Sequence, residues 1–151
     1  MAHAITATWT DGLHFEALQQ DRVIHLDSAA EGQARGVSPK QLLLTAVAGC
    51  TGMDVASLLP KFRVPFSSLI IRVSGELTQE HPKVYRTISI DYEIGADEEH
   101  RPLVERAVSM SAEKYCGVSA MLGATAAIRH TIVLTGYAGT ADAADAETSH
   151  P

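Results

Sequence analysis

Apolar and polar residues alternate one by one at the start of the chain. Ile5, Ala7 and Trp9 are set against Thr6, Thr8 and Thr10, and Leu13, Phe15 and Ala17 resume the alternation beyond Asp11-Gly12. A period of two places one side of a strand on a core and the other in water. Asp-Gly between two such runs signals a tight hairpin whose turn needs positive φ. A third strand is expected over Val23 to Leu26, followed by a glycine-containing loop, Glu31 to Gly36. At Ser38-Pro39 the pattern changes. Serine is a favoured N-cap and proline fits the first helical position, where its missing N–H leaves nothing unsatisfied. A helix is expected from there to about Leu59, where Pro60 should stop it. Leu43, Ala46, Val47, Cys50, Met53 and Ser57 recur at helical spacing, and Leu44, Ala48, Val55 and Leu58 fill much of the rest. A helix apolar nearly all round must be enclosed by sheet and helices or by a partner subunit.

Residues 69–77 and 84–94 read as a second antiparallel pair, with Val84, Ile88, Ile90, Tyr92 and Ile94 on the buried face. The connecting loop holds His81-Pro82. A second helix is expected from Asp97 or Arg101 to Ser111, with Leu103, Ala107 and Met110 inward, since Pro102 is tolerated only in a first turn. Glu113 to Leu122 reads as a turn into a short helix, and Ala127 to Leu134 as a closing strand. This order implies an α+β fold built from hairpins rather than βαβ crossovers. One domain is expected over residues 1–137. Residues 138–151, small and acidic without core-forming side chains, are expected to be a disordered tail.

Composition narrows the function classes. The chain has 151 residues, 46% of them hydrophobic and 20% charged, which suits one folded domain. A net charge of −6 argues against nucleic-acid binding. The run Leu42 to Leu59 approaches the length of a membrane span, but Asp54, Thr45, Thr51 and Ser57 interrupt it and no basic cluster flanks it, so a buried soluble helix is expected. No basic and apolar leader opens the chain, and the expected location is the cytoplasm.

Two cysteines, Cys50 and Cys116, are too few for a disulfide scaffold. In a reducing compartment they are either buried apolar fillers or a working thiol pair. Cys50 lies mid-helix between Gly49 and Gly52, each glycine costing roughly 1 kcal/mol against alanine. That expense suggests close approach of another backbone or a ligand. Cys116 stands where a helix begins, beside Lys114, a setting that favours a thiolate. Asp54, one turn from Cys50, is either a solvated carboxylate or a partner of that cysteine. Seven histidines show no metal-ligand spacing, so no metal and no cofactor are expected. The eleven-residue spacing of His3, His14 and His25 reads as coincidence.

Ser38-Pro-Lys-Gln-Leu-Leu-Leu-Thr-Ala-Val-Ala-Gly-Cys50, followed by Glu113-Lys-Tyr-Cys116-Gly-Val-Ser, resembles the OsmC/Ohr family over roughly residues 5–137. The Glu-Lys-Tyr-Cys form is closer to the OsmC-like subgroup than to the organic hydroperoxide resistance enzymes. The resemblance implies an intertwined α+β homodimer whose long central helices are enclosed by antiparallel sheets. It also implies a peroxidase that reduces organic hydroperoxides, with Cys50 peroxidatic, Cys116 resolving and a dithiol as reductant. The alternative is a non-catalytic dimer of this fold that binds a small apolar ligand or senses oxidants. The sequence departs from the family's peroxidases in the activating cation. Lys40 stands where they carry a glutamate, and the hairpin Thr10 to Leu13 has no arginine, Arg22 and Arg35 being the nearest. An apolar surrounding would raise the Cys50 thiol, so a positive partner is expected near it.

Overall fold

The computed structural model describes residues 1–28 and 34–139. The chain divides into two units, Met1–Leu44 and Thr45–Pro151. Half of the expected glycine loop, residues 31–33, and all but the first two residues of the expected tail lie outside the described residues.

In the first unit β1 (Thr6–Asp11), β2 (His14–Gln19) and β3 (Arg22–Leu26) form an antiparallel meander. The first turn falls one residue later than the Asp-Gly pair suggests. A register shift between Trp9 and Asp11 pairs Asp11 with His14 and leaves Gly12-Leu13 as the loop, with Gly12 at φ 51°. A bulge at this point adds a residue to β1 and carries the turn forward with it. Beyond β3, Val37 donates to the His25 carbonyl at 2.9 Å and accepts from the Asp27 amide at 3.1 Å. Gly36 lies so close to the His25 carbonyl that a side chain would overlap it. The β2–β3 register makes His14 and His25 diagonal neighbours, and their rings stack with centroids 5.3 Å apart. Two of the three evenly spaced histidines are therefore partners, because the hairpin reversal brings an eleven-residue separation back to one spot.

The long helix α1 (Pro39–Lys61) runs past Pro60. Proline lies in the last turn, and the helix ends one residue later in a different way. Arg63 takes φ 58°, its amide bonds Pro60 O at 2.9 Å, and the Val64 amide returns to Leu59 O at 2.9 Å. That pair of bonds satisfies the terminal carbonyls as a left-handed residue at the helix C-terminus does. The buried stripe is Val47, Thr51, Val55, Leu58 and Leu59. Met53 and Leu43, expected inside, are 74% and 44% exposed. The chain thus encloses one side of a helix that is apolar on several. By length and composition alone α1 could cross a membrane.

The second sheet has order β4-β5-β6, from β4 (Leu69–Leu77), β5 (Tyr85–Ile94) and β6 (Ala127–Leu134). Ile88, Ile90, Tyr92 and Ile94 are fully buried. Val84 is exposed and Tyr85 takes its place inside, because a register shift between Glu76 and Leu77 reverses the facing of the residues before the bulge. The expectation of hairpins alone is corrected here: β5 and β6 pair in parallel. Parallel pairing needs a long return path. A 3₁₀ turn (Glu98–His100), α2 (Arg101–Met110), a π-helical turn (Ser111–Tyr115) and α3 (Gly117–Gly123) supply it. The sheet is therefore mixed, and the fold remains α+β. On α2 the inward residues are Val104, Ala107 and Val108, while Leu103 and Met110 are half-buried.

Candidate functional site

Cys50 and Asp54 stand one turn apart on α1, and Cys116 faces them from the junction of the π-helical turn with α3. One donor atom from each, two sulfurs and a carboxylate oxygen, lies within 4.8 Å of the others. The π-helical turn sets this up. The Cys116 amide closes a five-residue bond to Ser111 O at 2.8 Å, and Cys116 then leaves helical geometry at φ −75°, ψ 94° to cap α3. Single π turns inside helices commonly redirect side chains at functional sites.

Cys116 is 2% exposed and Cys50 half-buried. The Ser119 amide and hydroxyl donate to Cys116 Sγ at 3.3 and 3.1 Å. The Val118 amide and the Cys116 thiol are the groups beside Cys50 Sγ that act on it most. Burial pushes the Cys50 thiol above its ordinary value. Its neighbours Cys116 and Asp54 push the same way, against the Val118 amide. The expected cation does not appear among these groups. Arg35 is ion-paired with Asp11 in the first unit, and Lys40 and Lys114 are exposed.

Behind Asp54 lies a row of buried polar groups that the sequence reading passed over. Ser111 Oγ donates to Asp54 Oδ2 at 2.9 Å. Thr51 Oγ1 is 2.9 Å from Ser111 Oγ and 2.8 Å from Tyr92 Oη. Tyr92 Oη is 3.1 Å from Nδ1 of His130, an exposed residue on β6. Thr51, Tyr92 and Ser111 are each 0% exposed. Burial pushes the Tyr92 hydroxyl up to about 12 and the His130 imidazole below its usual value. Two signals for this row exist in the sequence: a threonine on the inward stripe of α1 and a tyrosine among the inward isoleucines of β5. Of the two glycines flanking Cys50, only Gly52 meets a neighbour closely, a Cβ there lying 3.3 Å from Ile71 Cγ1 on β4.

A soft cation placed among Cys50, Asp54 and Cys116 would compete with hydrogen bonds already made to Asp54 and Cys116. A cleft of about 330 Å³ borders Asp54, lined also by Ser57, Leu58, Lys61, Phe62, Met110 and Tyr115.

A family model described as OsmC-like protein matches residues 31–131. The chain belongs to the OsmC-like family. The curated Protein YhfA of Escherichia coli strain K12 is 29% identical over 125 residues, covering 82% of this chain and 91% of that protein. Among solved structures, a hypothetical protein from Aquifex aeolicus VF5 superposes with TM-score 0.81 at 25% identity, over 91% of this chain and 99% of that one. An organic hydroperoxide resistance protein OsmC from Legionella pneumophila superposes with TM-score 0.68 at 14% identity, over 89% and 99%. The long helix and two three-stranded sheets of this chain are thus an OsmC-like fold.

Proposed function

We propose that this OsmC-like chain is a thiol peroxidase for organic hydroperoxides, working through Cys50 and Cys116. The observation that carries the reading is the convergence of the two sulfurs within 4.8 Å, a short step from the bonding distance of a disulfide. Cys50, half-buried and more open than Cys116, is the attacking thiol. Its sulfur takes the distal oxygen of the hydroperoxide, the O–O bond breaks, and an alcohol leaves behind a sulfenic acid. Cys116 then attacks that sulfur and displaces water as the disulfide forms, and an external dithiol restores both thiols. Leu58, Phe62 and Met110 in the cleft beside Asp54 offer apolar contacts to an alkyl or aryl group.

The active form in this reading is a homodimer in the reducing cytoplasm. The uncovered side of α1, including Met53 and Leu43, and the exposed Trp9, Leu13 and Phe15 of the first unit supply apolar surface for a second copy.

The test is consumption of cumene hydroperoxide by purified protein with a dithiol. Turnover that disappears in Cys50→Ser, and stalls at a sulfenic acid in Cys116→Ser, supports the reading. No turnover with any dithiol, or full activity in Cys50→Ser, overturns it. One observation favours a second reading, a non-catalytic oxidant sensor: the charges acting on Cys50 are negative rather than positive. A sensor would form the disulfide once, slowly, without sustained turnover.

A further inference from the structure

Proton counting along the buried polar row leads to a specific role for Asp54. A carboxylate only accepts hydrogen bonds, so the single Ser111 hydroxyl proton is committed to Asp54. Ser111 must then accept from Thr51, Thr51 from Tyr92, and Tyr92 from Nδ1–H of His130. Each hydroxyl has one proton, and with Asp54 ionised no other arrangement satisfies every link. All four links therefore point the same way, from an exposed histidine to the carboxylate beside Cys50. Among the described residues no buried side-chain polar atom is left unpaired, so the row is complete rather than partly broken.

We propose that Asp54 is the acid–base group of the Cys50 reaction, and that Ser111, Thr51, Tyr92 and His130 are positioning residues that hold its carboxylate through this one-way chain. The inference rests on the peroxidase reading above and adds the route of the proton. Asp54 takes the proton from Cys50 Sγ as the sulfur attacks the distal oxygen. The S–O bond forms, the O–O bond breaks with its electron pair leaving on the alkoxide, and Asp54 returns the proton to that oxygen. Thiol and hydroperoxide become sulfenic acid and alcohol with no external proton or electron. Among the described residues no arginine acts on Cys50, and the thiol stays protonated to higher pH than usual. A base within reach is what such a thiol lacks, and a carboxylate oxygen lies within 4.8 Å of it.

Two readouts with opposite expectations separate this role from mere proximity. The Asp54 charge raises the Cys50 thiol, so Asp54→Asn should leave Cys50 alkylation by iodoacetamide, followed by mass spectrometry, unchanged or faster. First-turnover reduction of cumene hydroperoxide by the same variant should fall about a hundredfold, because no group returns a proton to the leaving oxygen. If both rates rise together, Asp54 is only a neighbouring charge and the inference is wrong. If wild-type Cys50 alkylates but never reduces the hydroperoxide, the peroxidase reading itself fails and takes the inference with it.

Ser111→Ala should slow the first turnover several-fold with alkylation unaffected, and Ser111→Thr should restore it. A Ser111→Ala protein that only melts earlier would show the chain to be structural. Independent of activity, ¹⁵N shifts should report His130 as the Nδ1–H tautomer. An Nε2–H tautomer would reverse the counted direction and overturn the chain.

Discussion

The polar row can be measured through stability before any substrate is known. Tyr92→Phe removes one hydroxyl that makes two bonds, to Thr51 at 2.8 Å and to His130 at 3.1 Å. A buried neutral hydrogen bond contributes about 1 kcal/mol net. The link to His130 should count for less, because water can replace it at that exposed residue. Tyr92→Phe should therefore destabilise by about 1.5 kcal/mol. Thr51→Val keeps the shape but removes the links to both Tyr92 and Ser111 and leaves the buried Tyr92 hydroxyl proton without an acceptor. It should cost about 2–3 kcal/mol. The double variant breaks the shared Thr51–Tyr92 link only once and no longer strands the Tyr92 hydroxyl. Its cost should fall short of the sum by about 1 kcal/mol. The assay is urea unfolding of the three variants and the parent at one protein concentration, since association shifts apparent stability. Additive costs would show that Thr51 and Tyr92 do not share a bond, and the one-way chain would lose its central link.

Other outcomes follow from individual positions. Because the Cys50 thiol is raised, its protonated form persists in the folded chain to higher pH than in the unfolded one. The stability this contributes is present below the ordinary value of 9.0 and is lost as pH rises through the folded value. Iodoacetamide should label Cys50 more slowly than a free thiol at pH 7–8, and urea midpoints should fall above pH 9; fast labelling at pH 7 would contradict the described surroundings. Arg63→Gly should raise stability by about 0.5–1 kcal/mol by relieving a left-handed φ of 58°, read as a higher Tm. Gly36→Ala should lower stability by more than about 2 kcal/mol, because its Cβ would meet the His25 carbonyl. Gly49→Ala, whose Cβ would find only Met53 Cε at 3.9 Å, should gain up to about 1 kcal/mol from helix propensity. A Gly49→Ala chain that loses a dimer seen by light scattering would place a second copy against that glycine.

Much of the secondary structure is readable because its signals are local. Alternation, the Ser-Pro helix start and the capping position of Cys116 each depend on a few neighbouring residues. What escapes depends on distant ones. Pro60 marks the vicinity of a helix end, but the end itself is set by Arg63 and Val64 returning to Pro60 and Leu59. The inward face of α1 turns on which side meets the sheet, so Thr51 is inside and Met53 outside, although methionine is the more apolar. Bulges in β1 and β5 shift facing by one residue with no compositional marker. The parallel pairing of β6 is decided by where the helical return path delivers the chain. In the site, the two cysteines stand out by their scarcity. Asp54 is noticeable only as one turn from Cys50, and Ser111, Tyr92 and His130 join it solely through tertiary contact.

The crossover that makes β5 and β6 parallel also carries Cys116. The β4–β5 hairpin is local and can form early, whereas β6 must wait until the helices between them are seated, since non-local strand pairing is slow. The sulfur pair therefore forms as those helices seat, ahead of the last strand. A short alkylation pulse during refolding would time the seating of the crossover, both thiols losing reactivity as it closes.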